Sequence, residues 1–199
     1  LEPGMTLLDI GCGWGATMRR AIEKYDVNVV GLTLSENQAE HVQKTFDEMD
    51  TPRTRRVLLE GWEKFHEPVD RIVSIGAFEH FGRQRYGRFF KMAYQALPSD
   101  GVMLLHTILT YTQKQQHERG VSITMSDIRF ARFIGTEIFP GGQLPAQGDI
   151  FRFAQAAGFS VEKVQLLQEH YERTLNLWAA NLEAKGQRAI EIQSEEVCD

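Results

Sequence analysis

The sequence predicts an α/β fold in which helices cover both faces of a parallel sheet. Short apolar runs alternate with amphipathic helical patterns along most of the chain, and this alternation is typical of doubly wound parallel sheets. A glycine-rich segment, residues 11–15, follows the first apolar run directly, as it does in Rossmann-like nucleotide-binding folds. The length of 199 residues fits one domain with a sizeable core.

The apolar runs and the helical patterns give a first assignment of the elements. Buried strands are predicted at residues 6–10, 28–33, 57–61, 71–75, 102–109 and 159–167. Helices are predicted at residues 15–25, 35–49 and 85–97. Ser35 followed by Gln38 has the form of a capping box at the start of the second helix.

Residues 110–145 interrupt the alternation, because the stretch is too long for an ordinary connection. Much of its apolar set falls on one helical face; the set is Met125, Ile128, Phe130, Phe133, Ile134, Ile138 and Phe139. An insertion after the fifth strand lies at the carboxyl edge of the sheet, where ligands bind in such folds. Two interpretations stay open, a helix packed on the core and a cap over an apolar substrate.

Composition excludes several classes of protein. The formal net charge is −5 and the pI is about 5.7, so the chain lacks the basic surface of a nucleic-acid-binding protein, and no such partner is expected. No apolar run reaches the roughly 18 residues of a membrane helix. The two cysteines, Cys12 and Cys198, form no disulfide framework, which favours a reducing cytoplasm.

The glycine-rich segment is predicted to bind a cofactor. Gly11, Gly13 and Gly15 stand between a strand and a helix, where glycine lets the backbone turn tightly and approach a ligand. Such spacing also occurs in NAD enzymes and in turns that bind nothing. Asp9 narrows the choice, because a carboxylate there repels a pyrophosphate and suits a cation. S-adenosylmethionine, with its ammonium and sulfonium groups, is the predicted cofactor.

The rest of a nucleotide site is sought after the second and third strands. A carboxylate that binds the ribose is usual at the end of the second strand, but Thr33 occupies that position here. Thr33 and Gln38 are therefore predicted to bind the ribose hydroxyls. Glu36 is the acidic alternative, although its place favours helix-dipole stabilisation. Trp62 and Glu63 are predicted to contact adenine, with a core aromatic as the alternative for Trp62.

Several motifs together carry a family resemblance over essentially the whole chain. They are residues 7–15, GLTLSENQ at 31–38, Gly61-Trp62, VDRIVSIGAFEHF at 69–81, EIFPGGQLP at 137–145, His170-Tyr171 and TLNLW at 174–178. With these motifs the chain resembles the cyclopropane fatty acid synthases, and most closely the mycobacterial mycolic acid cyclopropane synthases and methyltransferases. The fold is then the class I methyltransferase form of the Rossmann-like sheet.

The resemblance implies methyl transfer from S-adenosylmethionine to a double bond of a long acyl chain, giving a cyclopropane or a methyl branch. It also implies a bicarbonate ion that acts as the base. Glu79, His106 and Tyr171 match the side chains that hold bicarbonate, although a lone histidine in an apolar strand is also compatible with a core residue. Gly76 matches a contact to the methionine part of the cofactor. Three further residues match walls of the acyl tunnel, Phe81, Phe139 and Leu175.

One methyltransferase domain is predicted over residues 1–199, with a cofactor-binding half (1–109), the capping insertion (110–145) and a C-terminal part (146–199). The family pattern also has leading helices, and a final strand with a cysteine at a position that Cys198 does not match. We therefore expect a fragment of a longer protein. The alternatives are a methyltransferase for another small molecule and a fragment that binds cofactor or lipid without catalysis. No metal site is predicted.

A cluster of basic residues follows the Glu79 motif, at Arg83, Arg85, Arg88 and Lys91. One interpretation is a solvated helix face. The other is a docking surface for an acidic acyl carrier protein or an anionic membrane surface, since long acyl chains are presented on a carrier or in lipid.

Overall fold

In the computed structural model, which describes residues 1–138, 142–192 and 194, parallel strands form a five-stranded sheet. The strands are β1 (Thr6–Ile10), β2 (Asn28–Thr33), β3 (Arg55–Leu59), β4 (Arg71–Ile75) and β5 (Val102–His106). Their order is β3-β2-β1-β4-β5, so the winding reverses between β1 and β4. The predicted doubly wound parallel sheet is thereby confirmed.

Helices connect and follow the strands. They are α1 (Ala16–Tyr25), α2 (Glu36–Asp47), α3 (Tyr86–Ala96), α4 (Gln113–Glu118), α5 (Met125–Phe133), α6 (Gln147–Ala157), α7 (Gln168–Ala184) and α8 (Gly186–Ile192). Short 3₁₀ turns lie at Trp62–Lys64, Phe78–His80 and Arg83–Arg85, and one π-helical turn lies at Ile134–Ile138. The chain divides into two compact units, Leu1–Val161 and Glu162–Asp199.

Alternate residues of the strands pack into two apolar clusters, one on each face of the sheet. Leu8 of β1 packs with aromatic residues of α3, whereas its neighbour Leu7 packs with Met18 of α1 and Phe46 of α2. Because both faces of β1 are covered, adjacent leucines, Leu7 and Leu8, are buried on opposite faces of the sheet. Burial on both faces of the sheet explains why an apolar run, and not an alternation of apolar and polar residues, predicted this strand.

The strand predicted at residues 159–167 is wrong. Phe159 packs its ring against Phe90 and Tyr94 of α3 at centroid distances of 6.2 and 5.3 Å. Beyond it, Val164 and Leu166 are at least half exposed. A strand needs a hydrogen-bonded neighbour, and no described strand pairs with this segment.

The helix start at Ser35 only half matches its prediction. Ser35 Oγ accepts a hydrogen bond from the Gln38 backbone N at 3.4 Å, which is the N-cap half of a capping box. The reciprocal bond is replaced, because the Gln38 side chain accepts a hydrogen bond from Thr33 Oγ1 at 2.7 Å. The N-cap is thus confirmed, and the closed box is wrong.

The insertion forms α4 and α5 and exposes its apolar side chains. Met125, Ile128, Phe130 and Phe133 are each more than half exposed, so the interpretation of a helix packed on the core is wrong for them. Helix α5 begins instead in a local capping box, in which the Asp127 carboxylate accepts from the Thr124 backbone N at 2.8 Å. Phe139 lies outside the described residues, and the capping role stays a prediction.

The second unit contains α7 and α8. Tyr171 and Leu175 lie on α7, one helical turn apart, and are 42% and 50% exposed. None of the helices in the described ranges is long and apolar enough to cross a membrane.

Candidate active site

The carboxyl ends of β1, β4 and β5 form one edge of the sheet, and most of the predicted site residues of the first unit lie along it. The winding reverses between β1 and β4, and ligands of doubly wound folds bind in the crevice at such a switch point. The loop after β1 carries the three glycines, and the loop after β4 carries Gly76 and Glu79. The two loops therefore face each other across the predicted cofactor position.

Gly11 brings these two loops into contact. Its φ is +80°, and a Cβ built there would lie 2.5 Å from the Cβ of Ala77. Its backbone N donates to the Leu32 carbonyl at 3.0 Å, which ties the loop to the end of β2. A side chain is therefore excluded twice, by the left-handed backbone and by the close approach of Ala77.

Gly13 and Gly76 are different, because they border open space. Their φ values are +54° and +67°, and a Cβ at either position would meet no atom within 4 Å. Glycine at both positions leaves bare backbone facing that space, which suits close approach of a ligand. This arrangement fits the predicted contacts to the methionine part of S-adenosylmethionine.

Asp9 carries a buried carboxyl group, one oxygen of which meets no hydrogen-bonding group of the described residues. The residue is 2% exposed, and its Oδ2 has no hydrogen-bond partner among the described residues. Burial raises the pKa of Asp9 to about 7, because desolvation penalises the charged form. Burial, and to a lesser degree the Asp9 charge, raises the pKa of the neighbouring Cys12 thiol to about 12. A cation that reaches Asp9 would supply the missing partner, so the site fits the ammonium group of S-adenosylmethionine.

The predicted ribose contacts are assembled before any ligand arrives. Thr33, 6% exposed at the end of β2, donates to the Gln38 side-chain oxygen at 2.7 Å. This bond leaves the amide nitrogen of Gln38 as a donor for a hydroxyl group. Glu36 lies in the first turn of α2 and is exposed, where it stabilises the helix dipole.

The predicted adenine contacts have other partners in this structure. Trp62 is 5% exposed, and its ring packs against Phe81 and Phe89 at centroid distances of 5.6 and 5.4 Å. Trp62 therefore lies in the core, as the alternative interpretation predicted. Glu63 forms an ion pair with Arg85, with 3.0 Å between Oε1 and Nη1. Sequence reasoning missed this pair, because 22 residues separate its partners.

Glu79 and His106 reach the same edge because β4 and β5 pair in parallel. His106 is opposite Ile75 in the register, and its carbonyl accepts from Gly76 N at 3.1 Å. Glu79 is 7% exposed, and its Oε2 accepts from Thr107 Oγ1 at 2.8 Å. His106 Nδ1 is buried and has no hydrogen-bond partner within the described chain. Glu79, Thr107 and His106 thus bring hydrogen-bonding groups to one edge of the sheet, and we call these three residues the polar recess.

The remaining predicted residues are only partly assembled. Tyr171 and Leu175 belong to the second unit, and Phe139 lies outside the described residues. Phe81 is 9% exposed and packs with Phe78, Trp62 and Phe89. Thr107 was not predicted, and its only sequence cue was a hydroxyl side chain directly after His106.

The comparison with known families now decides the assignment. A family model described as mycolic acid cyclopropane synthetase matches residues 1–199. The chain belongs to this family. The predicted resemblance is thereby confirmed.

Curated members of the mycolic acid cyclopropane synthase family are closely similar. The S-adenosylmethionine-dependent methyltransferase UmaA of Mycobacterium tuberculosis is 68% identical over 197 residues, which is 99% of this chain and 69% of that protein. Cyclopropane mycolic acid synthase 3 of the same organism is 67% identical over 199 residues, again 69% of its length.

Solved structures of the family superpose closely. The cyclopropane synthase MmaA2 of Mycobacterium tuberculosis has a TM-score of 0.96 at 63% identity, with 100% of this chain and 70% of that chain covered. CmaA1 complexed with SAH and CTAB has a TM-score of 0.94 at 61% identity, with the same coverage. A phosphoethanolamine N-methyltransferase of Haemonchus contortus, with a TM-score of 0.75 at 20% identity, shares the fold. The class I methyltransferase fold is thus confirmed.

Proposed function

We propose that this protein transfers a methyl group from S-adenosylmethionine to a double bond in a long-chain acyl substrate, a mycolic or fatty acid, giving a cyclopropane or a methyl branch. The observation that carries the proposal is the meeting of two loops at one sheet edge. Asp9 of β1 brings its buried carboxyl to this edge, and the loop after β4 brings Glu79 to the same edge, at which β5 ends with His106. A cation site and a base site are thereby adjacent.

Cofactor binding is assigned to the residues that the edge offers. Asp9 would pair with the ammonium group, and Gly11, Gly13 and Gly76 would let the methionine part approach the backbone. The ribose contacts are assigned to Thr33 and Gln38 and the adenine contact to Glu63, whereas Trp62 is left out because its ring packs in the core. When bound, S-adenosylmethionine supplies a methyl carbon that the alkene attacks as the carbon–sulfur bond breaks, leaving S-adenosylhomocysteine and a cation on the acyl chain.

The proton is then removed in the polar recess. Loss of one proton from the methylated chain lets the released electron pair close the cyclopropane ring. Glu79 and His106 would hold bicarbonate as the base, because His106 Nδ1, which has no hydrogen-bond partner among the described residues, fits an ion that accepts and donates hydrogen bonds. The family resemblance assigns the same role to Tyr171, which belongs to the second unit. Holding the base beside the reacting carbons makes proton removal effectively unimolecular.

The acyl chain needs an apolar path. We assign its walls to Phe81, Phe139 and Leu175, with the insertion as a cap. The exposed apolar side chains of α5 support the cap, because exposed apolar surface marks binding sites for apolar ligands. The complex of CmaA1 with SAH and the lipid-like ligand CTAB supports a lipid substrate.

The test is direct. The purified protein is incubated with S-adenosylmethionine carrying a ¹³C methyl group and with cis-unsaturated acyl chains, and the lipids are analysed by mass spectrometry and NMR. We expect one labelled carbon in the acyl chain, as a ring CH₂ or a methyl branch. Label only in a polar small molecule would show the alternative methyltransferase. SAH binding with no transfer to any acyl substrate would show a non-catalytic fragment.

We further propose that an acidic acyl carrier protein docks on α3. Two of the four basic residues form ion pairs within the protein. Arg83 pairs with Asp149 at 2.9 Å and, by this hydrogen bond, lowers the pKa of that carboxyl, and Arg85 pairs with Glu63. Arg88 and Lys91 are exposed and form no ion pair with described residues, so they carry the proposal.

Reversing both charges, Arg88→Glu with Lys91→Glu, is expected to raise KM for a carrier-bound acyl chain about tenfold and to leave the affinity for S-adenosylmethionine unchanged, because opposite charges steer encounter. Lys44→Glu, an exposed charge on α2, is the matched control and should have no effect. Unchanged KM in the double variant would remove the carrier proposal and favour free lipid or membrane as the source.

We place the activity in the cytoplasm. Cys12 is a buried free thiol, which suits a reducing compartment. Cys198 lies outside the described residues.

A further inference from the structure

We propose that Thr107 is a positioning residue that sets the orientation of the Glu79 carboxylate. The inference deepens the proposed function and rests on it, because it assigns a second partner to the side chain that serves the base site. Thr107 follows His106 directly, so the residue that orients Glu79 is covalently attached to the other member of the recess.

The hydrogen bond is well defined. Thr107 Oγ1 donates to Glu79 Oε2 at 2.8 Å. The other acceptor within reach of the hydroxyl, the Ile108 carbonyl, is 3.3 Å away, and the shorter contact to a carboxylate is the stronger one. Thr107 is part-buried and Glu79 is buried, so water competes weakly for this bond.

The backbone of Glu79 is already fixed by other contacts. Its carbonyl accepts from Gln143 N at 3.0 Å. The preceding Phe78 is fully buried and stacks on Tyr86 at a centroid distance of 4.2 Å. The remaining freedom of Glu79 lies in its side chain, and the Thr107 hydroxyl restricts that freedom.

This bond leaves one oxygen for the chemistry. Glu79 Oε1 receives no hydrogen bond from any described residue, whereas Oε2 is taken by Thr107. Since the β5 backbone is anchored at His106, whose carbonyl accepts from Gly76 N, the Thr107 hydroxyl fixes Oε1 relative to the end of β5. A carboxylate that rotates freely would present either oxygen, and misplacement of this kind lowers the rate of the chemical step.

The test compares Thr107→Val, which removes the hydroxyl and keeps the branched shape, with Thr107→Ser, which keeps the hydroxyl. We expect Thr107→Val to lower kcat about 10- to 100-fold, because the lost bond is to a charged acceptor, with KM within about twofold. Thr107→Ser should restore most of kcat. Thr54→Val removes an exposed hydroxyl directly before β3, at the opposite edge of the sheet, and should match the wild type.

The outcomes separate the two proposals. Wild-type kcat in Thr107→Val, or equal loss in Thr107→Ser, would overturn the positioning role while leaving the methyl transfer intact. If the wild type itself transfers no methyl group, the proposed function fails. The positioning role is then judged by the ¹³C shift of the Glu79 carboxyl, which should move in Thr107→Val and not in Thr54→Val. If Thr107→Val does not fold, Thr107→Ala replaces it.

Discussion

Replacing Glu79 with glutamine should abolish detectable product formation and leave the affinity for S-adenosylmethionine within a few fold. Removing a positioned acid–base group lowers kcat by roughly 10²- to 10⁴-fold. Glutamine keeps the volume of the side chain, and its amide oxygen still accepts from Thr107, so the buried turn should stay folded. Product is measured by mass spectrometry of the acyl chains, and cofactor affinity by calorimetry.

Glu48→Gln is the matched control, because Glu48 is exposed at the end of α2. This variant should retain wild-type turnover. Wild-type turnover in Glu79→Gln would refute the assignment of Glu79 to the base site. A large loss of cofactor affinity would instead assign Glu79 to cofactor binding.

Replacing Asp9 with asparagine is expected to stabilise the free protein and to weaken cofactor binding. Above about pH 7 the wild type carries a buried, unpartnered charge, and a pKa raised from 3.8 to about 7 corresponds to a cost of about 4 kcal/mol at about 1.4 kcal/mol per unit. Asparagine removes much of this cost. It also removes the partner of the ammonium group, so affinity should fall about 10- to 100-fold.

The stability of the free protein is expected to depend on pH through Asp9. The folded-state pKa of Asp9 is raised above the unfolded value, so its contribution to stability is fully present below about pH 3.8 and is lost as pH rises through about 7. The melting temperature of the wild type is therefore expected to fall relative to Asp9→Asn between about pH 5 and about pH 8. SAH should raise the wild-type melting temperature through linkage, more strongly at the higher pH.

Thermal unfolding of both proteins, with and without SAH, checks this pair of effects. A lower melting temperature for Asp9→Asn at about pH 8 would contradict the buried unpaired charge. An undiminished SAH shift in the variant would show that the cofactor ammonium binds elsewhere.

The sequence predicts the centre of the sheet better than its edges. Residues 6–10, 28–33 and 71–75 are β1, β2 and β4 with the predicted bounds, because strands covered on both faces are continuously apolar. The edge strands differ from prediction, β3 by two residues and β5 by three at its end. Leu59, Val102 and Leu104 are more than half exposed there, so apolarity does not mark where pairing ends.

The residues of the candidate site also divide into those that the sequence predicts and those that it does not. The glycine loop and Asp9 are predictable, since their spacing along one strand–turn–helix unit dictates their geometry. The Arg85–Glu63 ion pair and the Thr107–Glu79 hydrogen bond are not, because tertiary packing brings their partners together. The missed helices α6 and α7 follow no clear strand–helix alternation, and α7 buries no side chain.

The contact between Gly11 and Ala77 holds the loop after β1 against the loop after β4. The separation of the two loops is then set where the Gly11 main chain meets the Ala77 methyl group, a side chain with no adjustable torsion. On the proposed function, variation in the acyl substrate is accommodated in the insertion and the proposed tunnel walls, while this spacing stays constant. A larger side chain at position 77 would push the two loops apart. Replacing Ala77 with glycine would remove the contact, but the φ of +80° at Gly11 would still exclude a side chain there.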